Sequence, residues 1–189
     1  MNKMIKKVLV GIMVAAMTLG SVTTAFAAGT SSATTVVTKP ETQTNVKAED
    51  GSKVNTSKSG KATVNSIAKT NKKSVSIPSK VEVDGVKYTV TKIGANTFAN
   101  AKKATTVTLP STITSIGAKA FSGASKVKTI VITSKDTVKV SKDAFKGVDT
   151  KKMTITVKVS KKGMTKSEYN AFVKSLKKAG YKGKIKVVK

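Results

Sequence analysis

A chain of 189 residues with 36 basic and 9 acidic side chains, net charge +27, is long enough for one domain with an appendage. Every basic residue is Lys, and Cys, His and Trp are absent. Disulfides, thiolate metal sites and a cysteine nucleophile are thereby excluded, the commonest general base and metal ligand is missing, and without the planar fork of Arg no sequence-specific reading of nucleic acid is expected.

The chain opens on "MNKMIKK", a positive segment, followed by the 13-residue apolar run "VLVGIMVAAMTLG" and a polar stretch ending in Ala25-Phe26-Ala27. This order is that of a secretory signal with a small-residue cleavage site, so residues 1–27 are expected to be removed and the mature chain to start near Ala28. The apolar run is short for a bilayer span, and no later stretch is apolar enough for one, so no membrane span is expected after cleavage. Residues 28–60 are rich in Thr, Ser, Lys and Gly, hold no aromatic residue and keep no period. Such a segment buries too little apolar area to offset its ordering entropy, and it is expected to be a flexible, disordered tether reaching roughly 30 Å.

From residue 61 onward the chain repeats. Ile-Gly is followed by Phe five residues after the Ile, as Ile93, Gly94, Phe98 and again as Ile116, Gly117, Phe121. A third copy keeps Phe145, has Val140 in the Ile slot and Ser141 in the Gly slot. Short alternating strands recur at Val75/Ile77, Val107/Leu109, Ile130/Ile132 and Ile155/Val157, at intervals of 32, 23 and 25 residues. The first two end at Pro78 and Pro110, which cannot donate to a ladder. The long first interval accommodates a hairpin, since Asp84-Gly85 separates Val81/Val83 from Val86/Tyr88.

Each unit reads as a strand with two inward apolar side chains, a turn and a second apolar pair (Val90/Ile93, Ile113/Ile116, Val138/Val140). A Gly-permitted tight or left-handed backbone and a helical turn carrying Phe inward over a small residue (Ala101, Ala124, Val148) complete it. A unit of this size cannot cover its own apolar face, so neighbours must stack into a solenoid. The doublet is therefore a packing device, with Ile93, Phe98, Ile116 and Phe121 expected in the core. In residues 165–189, Thr165 and Glu168 form a capping box. Tyr169, Phe172, Val173 and Leu176 mark one helix face, Lys177 and Lys178 suit its C-terminal end, Gly180 stops it, and "KIKVV" follows as a last strand. This helix and strand are expected to close the end of the solenoid.

The stretch "SVSIPSKVEVDGVKYTVTKIGANTFANAKKATTVTLPSTITSIGAKAF" resembles the BspA-like (Treponema pallidum-type) leucine-rich repeats of secreted bacterial surface proteins, whose phrase runs roughly V-x-I-P, spacer, V-x-x-I-G-x-x-A-F. The resemblance covers residues 61–189 and implies a β-rich α/β, leucine-rich-repeat solenoid with a parallel strand ladder, one inserted hairpin and a C-terminal cap. Thr97 and Ala104 depart from the phrase. It implies extracellular protein or surface recognition, adhesion in some relatives, and no shared catalytic residues. No cofactor or metal is expected.

Catalytic patterns are weak. S-x-x-K occurs at Ser66/Lys69, Ser125/Lys128 and Ser175/Lys178, no more often than chance allows, and the nine acids are scattered. The chain is expected to be a secreted or wall-associated, non-enzymatic monomer that recognises a protein or a surface. The alternative is an envelope protein held by charge to anionic wall polymers, with specificity carried by the variable, Lys-rich positions between the repeated ones.

Overall fold

Runs of two to eight residues, most of them alternating buried and exposed side chains, build twelve strands among the described residues. The computed structural model describes residues 39–134, 137–159 and 165–188. The expected signal, 1–27, and residues 28–38 of the expected tether lie outside them. The strands are β1 (Val46–Lys47), β2 (Lys53–Thr56), β3 (Lys61–Ser66), β4 (Ser74–Ser76), β5 (Lys80–Val83), β6 (Val86–Ile93), β7 (Thr106–Leu109), β8 (Ser115–Ile116), β9 (Thr129–Ser134), β10 (Lys139–Val140), β11 (Thr154–Val159) and β12 (Lys184–Val188). One helix, α1 (Lys166–Lys178), precedes β12.

The chain winds between two sheets. The first has the order β1-β2-β3-β6-β8-β10, with β5 paired to β6, and the second the order β4-β7-β9-β11-β12. All pairings in the second sheet are parallel, as are β3–β6, β6–β8 and β8–β10 in the first. Each coil is thus one strand from each sheet plus a turn carrying a Phe. The four strand pairs expected from the sequence supply the core: Val75, Ile77, Val107, Leu109, Ile130, Ile132, Ile155 and Val157 are all buried.

Consecutive coils are tied by repeated backbone bonds. Gly94 N–H donates to Val64 O at 2.7 Å, Gly117 to Ile93 O at 2.8 Å, and Ser141 to Ile116 O at 2.9 Å. The two glycines are there for close approach, and the left-handed backbone expected of them is found elsewhere. A Cβ on Gly94 would stand 2.9 Å from Val64 O, and one on Gly117 3.0 Å from Ile93 O. Left-handed φ falls two residues later, at Asn96 (54–61° being the range covered with Lys119 and Asp143).

Phe98, Phe121 and Phe145 stack in a column, with centroids 4.9 and 5.0 Å apart and rings within 13° of parallel. Burying each ring stabilises by about 1.5–3 kcal/mol, and each stacked pair adds roughly 0.5–1.5 kcal/mol. Tyr181 ends the column, 5.2 Å from Phe145 and tilted by 51°. Thr97, the departure from Ala before Phe98, is fully buried and satisfied, its hydroxyl proton shared between Val64 O at 2.7 Å and Gly94 O at 2.9 Å.

The hairpin forms as expected. Val81 pairs with Tyr88 and Val83 with Val86, and Asp84 (φ 51°) and Gly85 (φ 76°) turn in the left-handed region that two-residue hairpins require. At the C-terminal end α1 packs on β10, burying Phe172 and Leu176, and its Thr165–Glu168 capping box is present. β12 adds in parallel to β11, so the cap ends the first sheet with a helix and continues the second with a strand.

Residues 39–60 differ from the disordered tether expected over 28–60. β1, β2 and β3 form an antiparallel edge on the first sheet, with Ala48, Val54, Ala62 and Val64 buried. The physical reason is long-range polar bonding that composition does not display. Glu41 N–H donates to the Tyr88 phenol oxygen at 2.9 Å, Gln43 N–H to Thr56 Oγ1 at 3.0 Å, and the Thr56 hydroxyl to Glu41 O at 2.7 Å.

Candidate functional site

The residues that repeat are inside, so any site is made of those that vary. Ile93, Phe98, Ile116 and Phe121 are all buried, as expected of packing residues. The S-x-x-K serines do not converge with a third group: the Ser175 hydroxyl donates to Phe172 O at 2.7 Å and that of Ser66 to Ile67 O at 3.2 Å. The acids hold local structure. Asp50 Oδ1 accepts from Ser52 N–H at 2.9 Å, Asp149 Oδ1 from Lys151 N–H at 3.1 Å, and Glu168 from the helix cap. Among the described residues no group of three His, Cys, Asp or Glu side chains could hold a metal, and no helix is long and apolar enough to cross a membrane.

The outward face of the second sheet is the most regular surface. Its in-register pairing aligns Ser74, Thr106, Thr129, Thr154 and Lys184 in one row and Ser76, Thr108, Val131, Thr156 and Lys186 in the next. Neighbouring strands stand about 4.8 Å apart, so the first row is a line of small hydroxyl side chains ending in a lysine, and the second is the same but for Val131. The strand order puts one edge of this face at β4 and the other at β12.

The corner leading into that sheet is basic on every coil. Exposed lysines precede each strand: Lys72 and Lys73 before β4, Lys102 and Lys103 before β7, Lys126 and Lys128 before β9, Lys151 and Lys152 before β11, and Lys182 before β12. No ion pair engages them among the described residues. A cleft of about 370 Å³ opens in this corner, lined by Thr105, Ser125, Lys126, Lys128, Asp149 and Lys152 with Val127 and Met153 at its base. A second cleft, about 380 Å³, lies beside β4 where no strand of the second sheet covers it, with Asp50, Lys72, Val75 and Ile77 among its lining. Among the described residues the exposed large apolar side chains are Val187 and Val188, both on β12.

Sequence reasoning placed specificity on the Lys-rich positions but did not align them. The signal is present as a pair of lysines ahead of β4, β7, β9 and β11. Its alignment becomes visible only once strand register brings coils of 23 to 25 residues into step. Tyr181 was missed as a core residue. It stands 36 residues after Phe145, beyond the helix, where no period points to it.

Parallel strands on two sheets, coils of 23 to 25 residues after a longer first one that holds the hairpin, and an internal Phe column define a leucine-rich-repeat solenoid module. The chain belongs to the family described as BspA type Leucine rich repeat region (6 copies), which matches residues 91–186. It is similar in fold to a leucine rich cell surface protein from Faecalibacterium prausnitzii A2-165, at 21% identity and TM-score 0.43, covering 67% of this chain and 38% of that one. It is similar also to a leucine-rich repeat protein from Bacteroides capillosus ATCC 29799, at 16% identity and TM-score 0.46, covering 79% of this chain and 100% of that one. The chain thus spans well under half the length of the Faecalibacterium protein. No curated protein is detectably similar to it in sequence.

Proposed function

We propose that the chain is an exported, non-catalytic binding module of the bacterial surface, held to the anionic polymers of the envelope by its lysines. The observation that carries this reading is the basic corner of the second sheet, where exposed lysines recur on coil after coil without carboxylate partners among the described residues. Family membership supports a repeat scaffold whose variable surface does the recognition. The signal-like N-terminus, residues 1–27, supports export.

Recognition of a protein partner, with adhesion as its outcome, is the second reading. Tight protein interfaces centre on buried aromatic or Arg anchors. This chain has no Arg, and six of its aromatic side chains (Tyr88, Phe98, Phe121, Phe145, Phe172, Tyr181) are committed to the core. The charge-based reading is favoured for that reason.

Retention of the chain on isolated bacterial cell walls, compared at about 0.1 M and about 1 M salt, tests it. The Debye length falls between these from about 10 Å to about 3 Å, so retention by charge collapses. Retention that survives high salt would refute it and point to a protein partner.

A further inference from the structure

The turns of the basic corner keep the stride of the sheet they lead into. Thr105 N–H donates to Lys73 O at 2.7 Å, Lys128 N–H to Thr105 O at 2.8 Å, and Thr154 N–H to Lys128 O at 2.8 Å. The hydrogen-bonded ladder therefore extends one residue ahead of the strands. Lys103, Lys126 and Lys151, each three residues before the first residue of its strand, occupy the same place on three successive coils. With the backbone recurring at about 4.8 Å per coil, these exposed lysines form a strip running across the strands, along the direction of stacking.

We propose that this strip seats a linear, ring-free phosphate polymer laid across the coils, with the cleft between Lys126, Lys128 and Lys152 holding one of its phosphates. The proposal rests on the surface-retention reading and gives it a place and a chemistry. Three observations select this ligand class. First, the cations are all Lys, point charges that attract phosphate oxygens without the fork that reads base edges or planar carboxylates. Second, no aromatic residue lines the cleft, so a polymer recognised through its rings, whether single-stranded nucleic acid or a uronate polysaccharide, finds no stacking platform. Third, free hydroxyl groups adjoin the cations. Ser125 lines the cleft, and Thr106, Thr129 and Thr154 form the first row of the sheet beside it, their hydroxyls making no hydrogen bond among the described residues. A phosphodiester keeps its charge at every external pH and offers two unbridged oxygens per link, enough to accept from an ammonium and a hydroxyl together.

Asp149 is the acid in the cleft and opposes an anion there, so its removal supplies a gain-of-binding arm. The test measures binding of the full chain to long-chain inorganic polyphosphate over a salt series, with polygalacturonate and an oligothymidylate as comparison polymers. A strip variant (Lys103→Gln, Lys126→Gln, Lys151→Gln, Lys152→Gln) is set against a control that removes the same charge from the first sheet (Lys53→Gln, Lys61→Gln, Lys92→Gln, Lys139→Gln). All eight lysines are exposed, and thermal unfolding confirms that each variant is folded.

The strip variant is expected to lose roughly tenfold or more in polyphosphate affinity and to flatten the slope of log K against log salt by about 2 to 3, at about 0.7 per lost contact. The control should stay within about threefold of wild type, and Asp149→Asn should tighten binding about two- to fivefold. Equal losses in strip and control variants would overturn the proposal, as would tighter binding of polygalacturonate or oligothymidylate than of polyphosphate. Either result, with cell-wall retention still salt-sensitive, would leave the surface-retention reading standing. Salt-insensitive retention would sink that reading itself.

Discussion

Lys119 occupies a backbone conformation that suits its two counterparts better. Asn96, Lys119 and Asp143 hold the same slot on three coils with φ of 56°, 54° and 61°, and Asn and Asp tolerate the left-handed region where a long side chain does not. The slot is fixed by inter-coil bonds, Lys119 N–H to Asp143 O at 2.9 Å and Asn96 N–H to Lys119 O at 3.2 Å. Lys119→Asn should therefore stabilise the fold by about 0.5–1 kcal/mol, read as a rise in urea midpoint at unchanged slope. Gly183 is the opposite case, since a Cβ there would collide with the carbonyls of Met153 and Thr150. Gly183→Ala should cost about 2 kcal/mol or more, by the same measurement.

Tyr181 gives the fold an alkaline limit. Burial pushes its phenol up from 10.0 to about 12, and its single proton is shared between Met153 O at 2.9 Å and Lys184 O at 2.8 Å. The unfolded chain releases this proton first, so the stabilisation is complete below pH 10 and is lost as pH rises from 10 through 12. Melting temperatures between pH 9 and about 12 should fall more steeply for wild type than for Tyr181→Phe, which lacks the titrating group. Parallel curves would show that another group sets the limit.

At the level of elements, what was legible in the sequence is what depends on near neighbours. The alternation of Val107/Leu109 and Ile130/Ile132, the Asp84-Gly85 turn and the Thr165–Glu168 box are each written within a few residues, and each forms. β1 and β2 were not legible. Their core is supplied by single apolar residues among Lys, Asn and Thr, and their position by bonds such as Glu41 to Tyr88, 47 residues apart. The helix cap is a local device with a local cost: Thr165→Ala removes an acceptor for Glu168 N–H and should destabilise by about 1 kcal/mol in chemical denaturation. Because α1 covers β10, that loss should also loosen the end of the solenoid first, seen as faster amide exchange in β10 than in β7.

For the whole molecule, charge and fold pull against each other. A net charge of +27 on 189 residues favours expansion, and the core of stacked coils opposes it. Raising salt from about 0.02 M to about 0.5 M should lift the melting temperature by a few degrees as self-repulsion is screened. A melting temperature that is flat or falls with salt would mean that the lysines are already compensated within the fold. The candidate site was half legible at this scale. Its lysines are plain in the sequence, but their alignment into a strip is a property of register, which no single coil contains.

The coil bonded only to its neighbours has a further consequence. A tandem copy of residues 106–128 carries two strands, one ring for the Phe column and two corner lysines, and it meets the same surfaces above and below that the original meets. Valency toward a long polymer is then a matter of how many copies are strung together. Duplication within the gene becomes a dial for avidity, turned one coil at a time without altering a single contact residue.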